Sequence, residues 1–192
     1  MSTPSLREVK KQRTRDAIVA AAARLFDEHG YDAVTVAAVA EAAEVGPRTL
    51  YRHFADKEDF LFAKDEELHT EMARIAAAVP AGASPAEIFA EAARQVAEIV
   101  EPDRDLMVRR ARVTARTPAL QGREGMKHAA MQQLLVDELE RRGYRREQAR
   151  LIAGIGIACV TEAITRWLED PDAGSLVAAL QGVEAEVRAL VP

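Results

Sequence analysis

Between Pro47 and Phe54 the chain reads PRTLYRHF, two arginines, a threonine, a tyrosine and a histidine set beside one leucine and one phenylalanine. Wound as a helix at about 100° per residue, Leu50 and Phe54 share one edge while Arg48 and Arg52 take the other. Thr49 and His53 flank one side and Tyr51 the other. A guanidinium is a planar fork of donors that matches O6 and N7 of guanine, so Arg48 and Arg52 suit base edges. At about 1.5 Å per residue the segment is a rod of roughly 12 Å, which the major groove of B-DNA accepts. The chemistry on offer is recognition of double-stranded DNA. The plainer reading is a surface helix with solvated arginines, since short helix-turn-helix patterns recur by chance.

Such a rod must be held by its neighbours. Thr35 is a capping residue for a preceding helix in which Val36, Val39, Ala40 and Ala43 recur on one face. Glu44-Val45-Gly46 forms the turn with Val45 as its apolar plug, and Pro47 suits a first helical position. Upstream, a helix over residues 13–28 turns Ile18, Ala22, Leu25 and Phe26 inward. Gly30 ends it in a left-handed conformation, and Tyr31 folds back as the apolar contact. Residues 1–12 read as a flexible basic arm, although Ser5-Leu6-Arg7-Glu8 has the form of a capping box that would start the helix early.

The run VTVAAVAEAAEVGPRTLYRHFADKEDF, preceded by TRDAIVAAAARLFDEHGYDA, resembles the DNA-binding domain of the tetracycline-repressor (TetR) family of transcriptional regulators. The match covers residues 13–62 and includes Thr49, Leu50, Tyr51, His53, Phe54 and Lys57. Two positions depart from it: Glu44 stands where glycine is usual, and Gly46 where serine or threonine is usual. The resemblance implies phosphate contacts from Thr35, Thr49, Tyr51, His53 and Lys57, with Gly46 and Pro47 at the helix start and Arg13 beside them. It implies an all-α fold: a three-helix DNA-binding domain with a basic N-terminal arm over residues 1–56, and a helical effector-binding and dimerisation domain over residues 57–192. About nine helices are expected in all.

Composition agrees with that division. Aromatics are 5% and alanine is abundant, which favours closely packed helices, and no sustained period-2 run of β-branched residues is present. The formal net charge is −5, yet residues 1–57 hold nine Lys/Arg against eight Asp/Glu and the remainder seventeen against twenty-three. Arg7, Lys10, Lys11, Arg13 and Arg15 crowd the first fifteen residues, a local attraction for phosphate on an otherwise acidic protein. Enzymatic readings find no support. His29, His53, His69 and His128 are scattered, and no phosphate loop or nucleophile elbow occurs. No catalytic residue, metal or cofactor is expected. His69 beside Glu66, Glu67 and Glu71 reads as a solvated helix face, and the lone Cys159 as a core thiol. The longest apolar run, residues 151–160, is too short to cross a bilayer, and with no signal peptide evident a cytoplasmic protein off the membrane is expected.

The rest of the chain supplies the body. Asp56 caps a long fourth helix reaching residue 78, and Ser84-Pro85-Ala86-Glu87 opens a fifth that Pro102 stops. A sixth helix over residues 103–116 carries Arg109, Arg110, Arg112 and Arg116, read mainly as a solvated face with one arginine able to enter a cavity. Thr117-Pro118 caps the seventh; the eighth spans residues 146–169, and the ninth starts near Asp170-Pro171. Phe62, Phe89, Met107, Arg110, Met126, Met131 and Trp167 are the candidate lining for a small apolar or amphipathic effector. Ile155, Cys159, Leu176, Leu180, Val183 and Val187 are the candidate homodimer interface. A homodimeric repressor released from a pseudo-palindromic operator by its effector is the leading reading. An effector-independent DNA-binding factor and a helical protein-interaction module are the alternatives.

Overall fold

A computed structural model describes residues 5–62, 65–80 and 82–190, and the described residues form helices and turns with no strand among them. In chain order these are α1 (Leu6–His29), α2 (Val36–Ala42), α3 (Pro47–His53), α4 (Asp59–Phe62), α5 (Asp65–Ala78), α6 (Pro85–Val100), a 3-10 turn (Glu101–Asp103), α7 (Arg104–Arg116), α8 (Pro118–Arg141), α9 (Arg146–Glu169) and α10 (Leu176–Leu190). The long fourth helix of the sequence reading corresponds to α4 and α5, on either side of residues 63–64, which lie outside the described residues. The chain divides into two compact units: Met1–Lys64 with Val108–Gln121, and Asp65–Met107 with Gly122–Pro192.

In the first unit, α1 begins at Leu6. The Ser5 hydroxyl accepts from Glu8 N–H at 3.3 Å and the Glu8 carboxylate accepts from Ser5 N–H at 2.7 Å. The arm expected to be flexible through residue 12 is therefore helical, because this reciprocal cap satisfies two first-turn donors and sets an acid at the positive end of the dipole. Residues 1–4 of that arm lie outside the described residues. Gly30 ends the helix with a positive φ of 83°, though its ψ of 149° is extended rather than left-handed helical. Tyr31 folds back as expected, its ring 5.1 Å from Phe26. Asp56 Oδ1 accepts from Asp59 N–H at 2.8 Å, so α4 starts on the cap its sequence announced.

Ile18, Ala22, Phe26, Val39, Leu50, Phe54 and Phe60 form the buried core of this unit. Phe60 meets Phe54 edge-on at 5.1 Å and Phe26 at 6.5 Å, aromatic contacts worth about 1 kcal/mol each beyond area burial. In the Val108–Gln121 segment Arg112 and Arg116 are exposed, as a solvated face implies, and Arg110 alone of the four arginines is buried. Arg109 and Arg112 pair with Asp27 at 3.3 and 3.6 Å, and the Arg110 guanidinium lies 4.5 Å over the Phe62 ring. Arg110 is thus held by an aromatic ring from a distant part of the chain, while Arg109 and Arg112 pair with Asp27 from the surface. Thr117 stands at the cap position before Pro118, where its carbonyl accepts from Leu120 and Gln121 N–H, but its hydroxyl donates back to Val113 O at 2.9 Å.

The second unit holds two clusters. Met72, Ile75, Ala92, Val96, Ala163, Trp167, Leu176, Leu180 and Val183 form one; Ile88, Leu135, Val136, Leu139, Ala149 and Ala153 form the other. Helix ends here are tied by side chains. Arg104 donates to Trp167 O and Asp170 O, both at 2.7 Å, and lies over the Trp167 ring, while Glu101 Oε1 accepts from Leu176 N–H at 2.6 Å. Residues 170–175 form the connection, so α10 starts later than Asp170-Pro171, on a Ser175 hydroxyl that accepts from Ala178 N–H at 3.1 Å. The apolar run expected to be too short for a bilayer lies inside the 24-residue α9. One of its 18-residue windows, at mean hydropathy 1.5, meets a membrane helix's length and composition, weak evidence on its own for a span.

Phe89 packs against Gly156, where an added Cβ would lie 2.2 Å from the ring, whereas one at Gly154 would meet the side-chain amide of Gln132 at 3.3 Å. Gly→Ala inside a helix normally gains about 0.5–1 kcal/mol. Gly154→Ala is thus expected to leave the melting temperature unchanged or slightly raised. Gly156→Ala is expected to destabilise by about 2 kcal/mol through overpacking, as calorimetry or denaturant unfolding would read.

Candidate nucleic-acid interface

The geometry of α2, the turn and α3 follows from a few local interactions. Thr35 Oγ1 accepts from Ala38 N–H at 3.1 Å, which starts α2 where the sequence placed it. Val45 N–H donates to Ala40 O at 2.9 Å and closes the turn, and Glu44 carries a φ of +54°, the one positive value outside glycine among the described residues. That backbone state explains why glycine is usual there, since an L side chain in it costs roughly 1–2 kcal/mol. Glu44 is exposed. Gly46 N-caps α3 without a side-chain bond, and Pro47 follows at its first turn.

α3 is anchored by its apolar edge and open on the other. Leu50 and Phe54 are 1% and 3% exposed, whereas Tyr51 is 62% exposed and Arg48 and Arg52 stand outward. Thr49 is half-buried beside them and Arg13 is exposed on α1. Two of the residues implied as phosphate contacts sit differently. The Lys57 ammonium lies 4.2 Å over the Tyr31 ring, with burial holding its pKa below the ordinary lysine value against a nearby Asp32. Both ring nitrogens of His53 are buried and without a hydrogen-bond partner. Burial, with Arg52, Lys11 and Arg15 close by, lowers its pKa and keeps the imidazole neutral. Arg15 donates to His53 O at 3.5 Å and lies 5.0 Å over the Phe54 ring, so α1 meets α3 at this point.

The candidate effector residues are distributed over both units. Phe62 and Arg110 pack on each other in the first unit, and Met126 is 68% exposed on α8. In the second unit Trp167 is committed to the core, its indole N–H donating to Gly174 O at 3.1 Å. Phe89, Met107 and Met131 are half-buried there.

The candidate interface divides too. Leu176, Leu180 and Val183 are buried within their own chain, because the seam they form packs α10 onto α9 and α6, and so they are not an exposed dimer face. Cys159 and Val187 are half-buried and Ile155 is 48% exposed. Cys159 is a free thiol with a pKa raised by burial. Two residues escaped the sequence reading. Asp27 was hidden because its partners lie more than eighty positions away, and Leu151, 66% exposed, was lost inside an apolar run. Its i, i+4 spacing with Ile155 was the available signal. Among the described residues no cluster of His, Cys, Asp and Glu is placed to hold a metal.

Two family models match the chain: bacterial regulatory proteins of the tetR family over residues 18–63, and the MftR C-terminal domain over residues 83–192. The HTH-type transcriptional regulator TcmR of Streptomyces glaucescens is 36% identical over 123 residues, 61% of this chain and 54% of that protein, so the chain spans about half that relative's length. A transcriptional regulator FadR from Bacillus subtilis, solved in complex with stearoyl-CoA, shares the fold at 21% identity and a TM-score of 0.62, covering 88% of this chain and 94% of that one. A SmeT–triclosan complex is similar at 19% identity and a TM-score of 0.64, covering 90% of each chain.

Glu44→Gly is expected to raise stability by about 1 kcal/mol, the relief of positive φ exceeding the entropy of an added glycine. Glu44→Ala keeps the backbone state and is expected to gain nothing. Thermal unfolding of both variants separates backbone conformation from charge.

Proposed function

This chain belongs to the tetR family of bacterial regulatory proteins, and on that footing we propose that it is a homodimeric transcriptional repressor released from a pseudo-palindromic operator by a small apolar or amphipathic effector. The observation that carries the reading is α3, with Leu50 and Phe54 held inside while Arg48, Tyr51 and Arg52 stand out together. In this reading Arg48 and Arg52 address guanine edges in the major groove, and Thr35, Thr49 and Tyr51 bond phosphates that fix the register. Gly46 and Pro47 bring the start of α3 to the backbone, and Arg13 adds attraction that fades with salt. Lys57 takes part once its ammonium leaves Tyr31, and His53 once its ring turns outward. A protein that grips operator DNA works beside the chromosome, in the bacterial cytoplasm.

Dimerisation is supported by the outer side of α9 and α10. Leu151 and Ile155 are 66% and 48% exposed one turn apart, with Ala158 following them. On α10, Ala178, Gly182, Ala185 and Ala189 form an exposed row of small side chains that lets another helix approach closely. A second copy covering this side accounts for the apolar excess of α9. The effector is assigned to the second unit, where Phe89, Met107 and Met131 are half-buried and adjustable. Proteins that share this fold hold stearoyl-CoA, an amphipathic thioester with a long acyl chain, and triclosan, a small apolar molecule, which supports that class of molecule. Release then needs only that the effector favour a body conformation whose reading heads do not fit the operator, and binding of DNA weakens the effector by the same factor.

Two measurements test this. In a mobility-shift titration on the DNA upstream of the gene, Arg48→Ala and Tyr51→Ala are each expected to weaken binding at least tenfold with the circular-dichroism spectrum intact; full retention in both refutes the assignment. In sedimentation velocity the wild type is expected to be a dimer and Leu151→Glu/Ile155→Glu a folded monomer. A wild-type monomer, or a double variant that still dimerises, overturns the interface.

A further inference from the structure

α8 crosses the division between the two compact units: residues 118–121 belong with the reading helices and the remainder with the second unit. Each end is anchored in its own unit. Leu120 is fully buried, and Leu135, Val136 and Leu139 lie in the cluster around Ile88. Between these anchors, residues 121–134 bury no side chain. From 121 to 130 every apolar side chain, Met126, Ala129 and Ala130, is exposed. The first to pack is Met131, half-buried against the Trp167 cluster. Glu124 pairs with Lys127 and with His128 along the helix surface, contacts that add little in water.

Gly122 and Gly125 stand in this stretch, the first directly after the division. A positive φ or a close neighbour usually explains a glycine inside a helix, and neither applies here. The positive-φ glycines among the described residues are Gly30 and Gly143, and a Cβ at 122 or 125 would meet nothing within 4 Å. Alanine would fit at both positions and hold the helix better. α7 crosses the same division in the opposite manner, with no glycine or proline in its length. Arg104 bonds the carbonyls of Trp167 and Asp170 on one side of that crossing, and Arg109 and Arg112 pair with Asp27 on the other. One helix crosses tied at both ends, and the other crosses weakened at the division.

We propose that residues 121–126 of α8 are a helix–coil hinge, closed when the protein holds its operator and opened during release, while α7 stays whole. The hinge rests on the DNA-binding and effector reading above and assigns the switch to one stretch of chain. Local opening costs least where buried apolar contacts are few and helix formers are weak, and this stretch has both properties. Glycine adds to the effect because an opened chain regains more freedom at glycine than at any other residue. Met126 lies in the hinge and Met131 one turn beyond it. An effector lodged against Met131 therefore acts on the second-unit end of the stretch while Leu120 holds the other end. Operator and effector then draw on one equilibrium in opposite directions, and each weakens the other by the same factor.

The experiment is hydrogen exchange read by mass spectrometry on the full-length protein, free and saturated with the upstream operator duplex, followed by operator dissociation under a competitor chase. In the free protein the amides of residues 121–130 are expected to exchange at least about tenfold faster than those of residues 135–141 on the same helix. Operator is expected to slow residues 121–130 several-fold, although none of them is assigned to DNA. Gly122→Ala/Gly125→Ala is expected to slow dissociation by up to roughly twentyfold, the combined helix preference of two alanines, with association unchanged. Gly154→Ala, the same substitution in α9, is expected to dissociate at the wild-type rate, which separates a hinge from general stiffening. Uniform exchange along α8 in the free protein, no operator protection at residues 121–130, an unchanged or faster dissociation in the double variant, or an equal slowing in Gly154→Ala each overturns the proposal. Absence of any operator binding is a different failure, that of the DNA-binding reading, and the exchange pattern of the free protein still tests the hinge by itself.

Discussion

A seven-residue helix does not hold its own shape in water, because so few backbone bonds cannot offset the cost of nucleation. α3 exists because Leu50 and Phe54 are buried, Phe54 against Phe60 and Phe60 against Phe26. Each such side chain contributes roughly 1.5–3 kcal/mol by leaving water. This aromatic wedge also sets rotation about the helix axis, so Arg48, Tyr51 and Arg52 face solvent as a consequence of what lies beneath them. The recognition surface is the outside of a packing decision.

The second unit is ordered by a different device, the tying of helix ends. Arg104 covers the last carbonyls of α9 and Glu101 takes the first N–H of α10, each charge placed where the local dipole favours it. Arg142 does the same for the end of α5, donating to Val79 O and Pro80 O at 2.8 and 2.7 Å while it pairs with the buried Glu138. A buried pair of this kind adds little net stability, and removing one partner is costly. Its contribution is to geometry: the helix ends are held at defined places and leave α9 and α10 to present Leu151, Ile155 and a row of small residues outward.

What was legible in the sequence was local. The caps at Thr35, Asp56 and Ser84, the stop at Gly30 and the two-sided α3 are written within a turn or two of chain, where hydrogen-bond reach and helical period are fixed. What was not legible depends on residues far apart. Asp27 could not be matched with Arg109 and Arg112, nor Phe62 with Arg110, because nothing local distinguishes a paired arginine from a solvated one. The seam Leu176, Leu180, Val183 was recognised as apolar but assigned to the wrong partner, since periodicity shows that a face is buried and not against what. Glu44 is the reverse case: a residue that looked like a departure from pattern sits at a positive φ that the pattern's glycine exists to relieve.

The central claim is that the exposed side of α3 reads guanines in the major groove, and methylation protection at guanine N7 tests it most directly. The account predicts two protected clusters on one face of the operator, in successive major grooves, with protection lost in Arg48→Ala at the guanines that residue contacts. Tight binding that leaves every N7 in the footprint as reactive as in free DNA would contradict it.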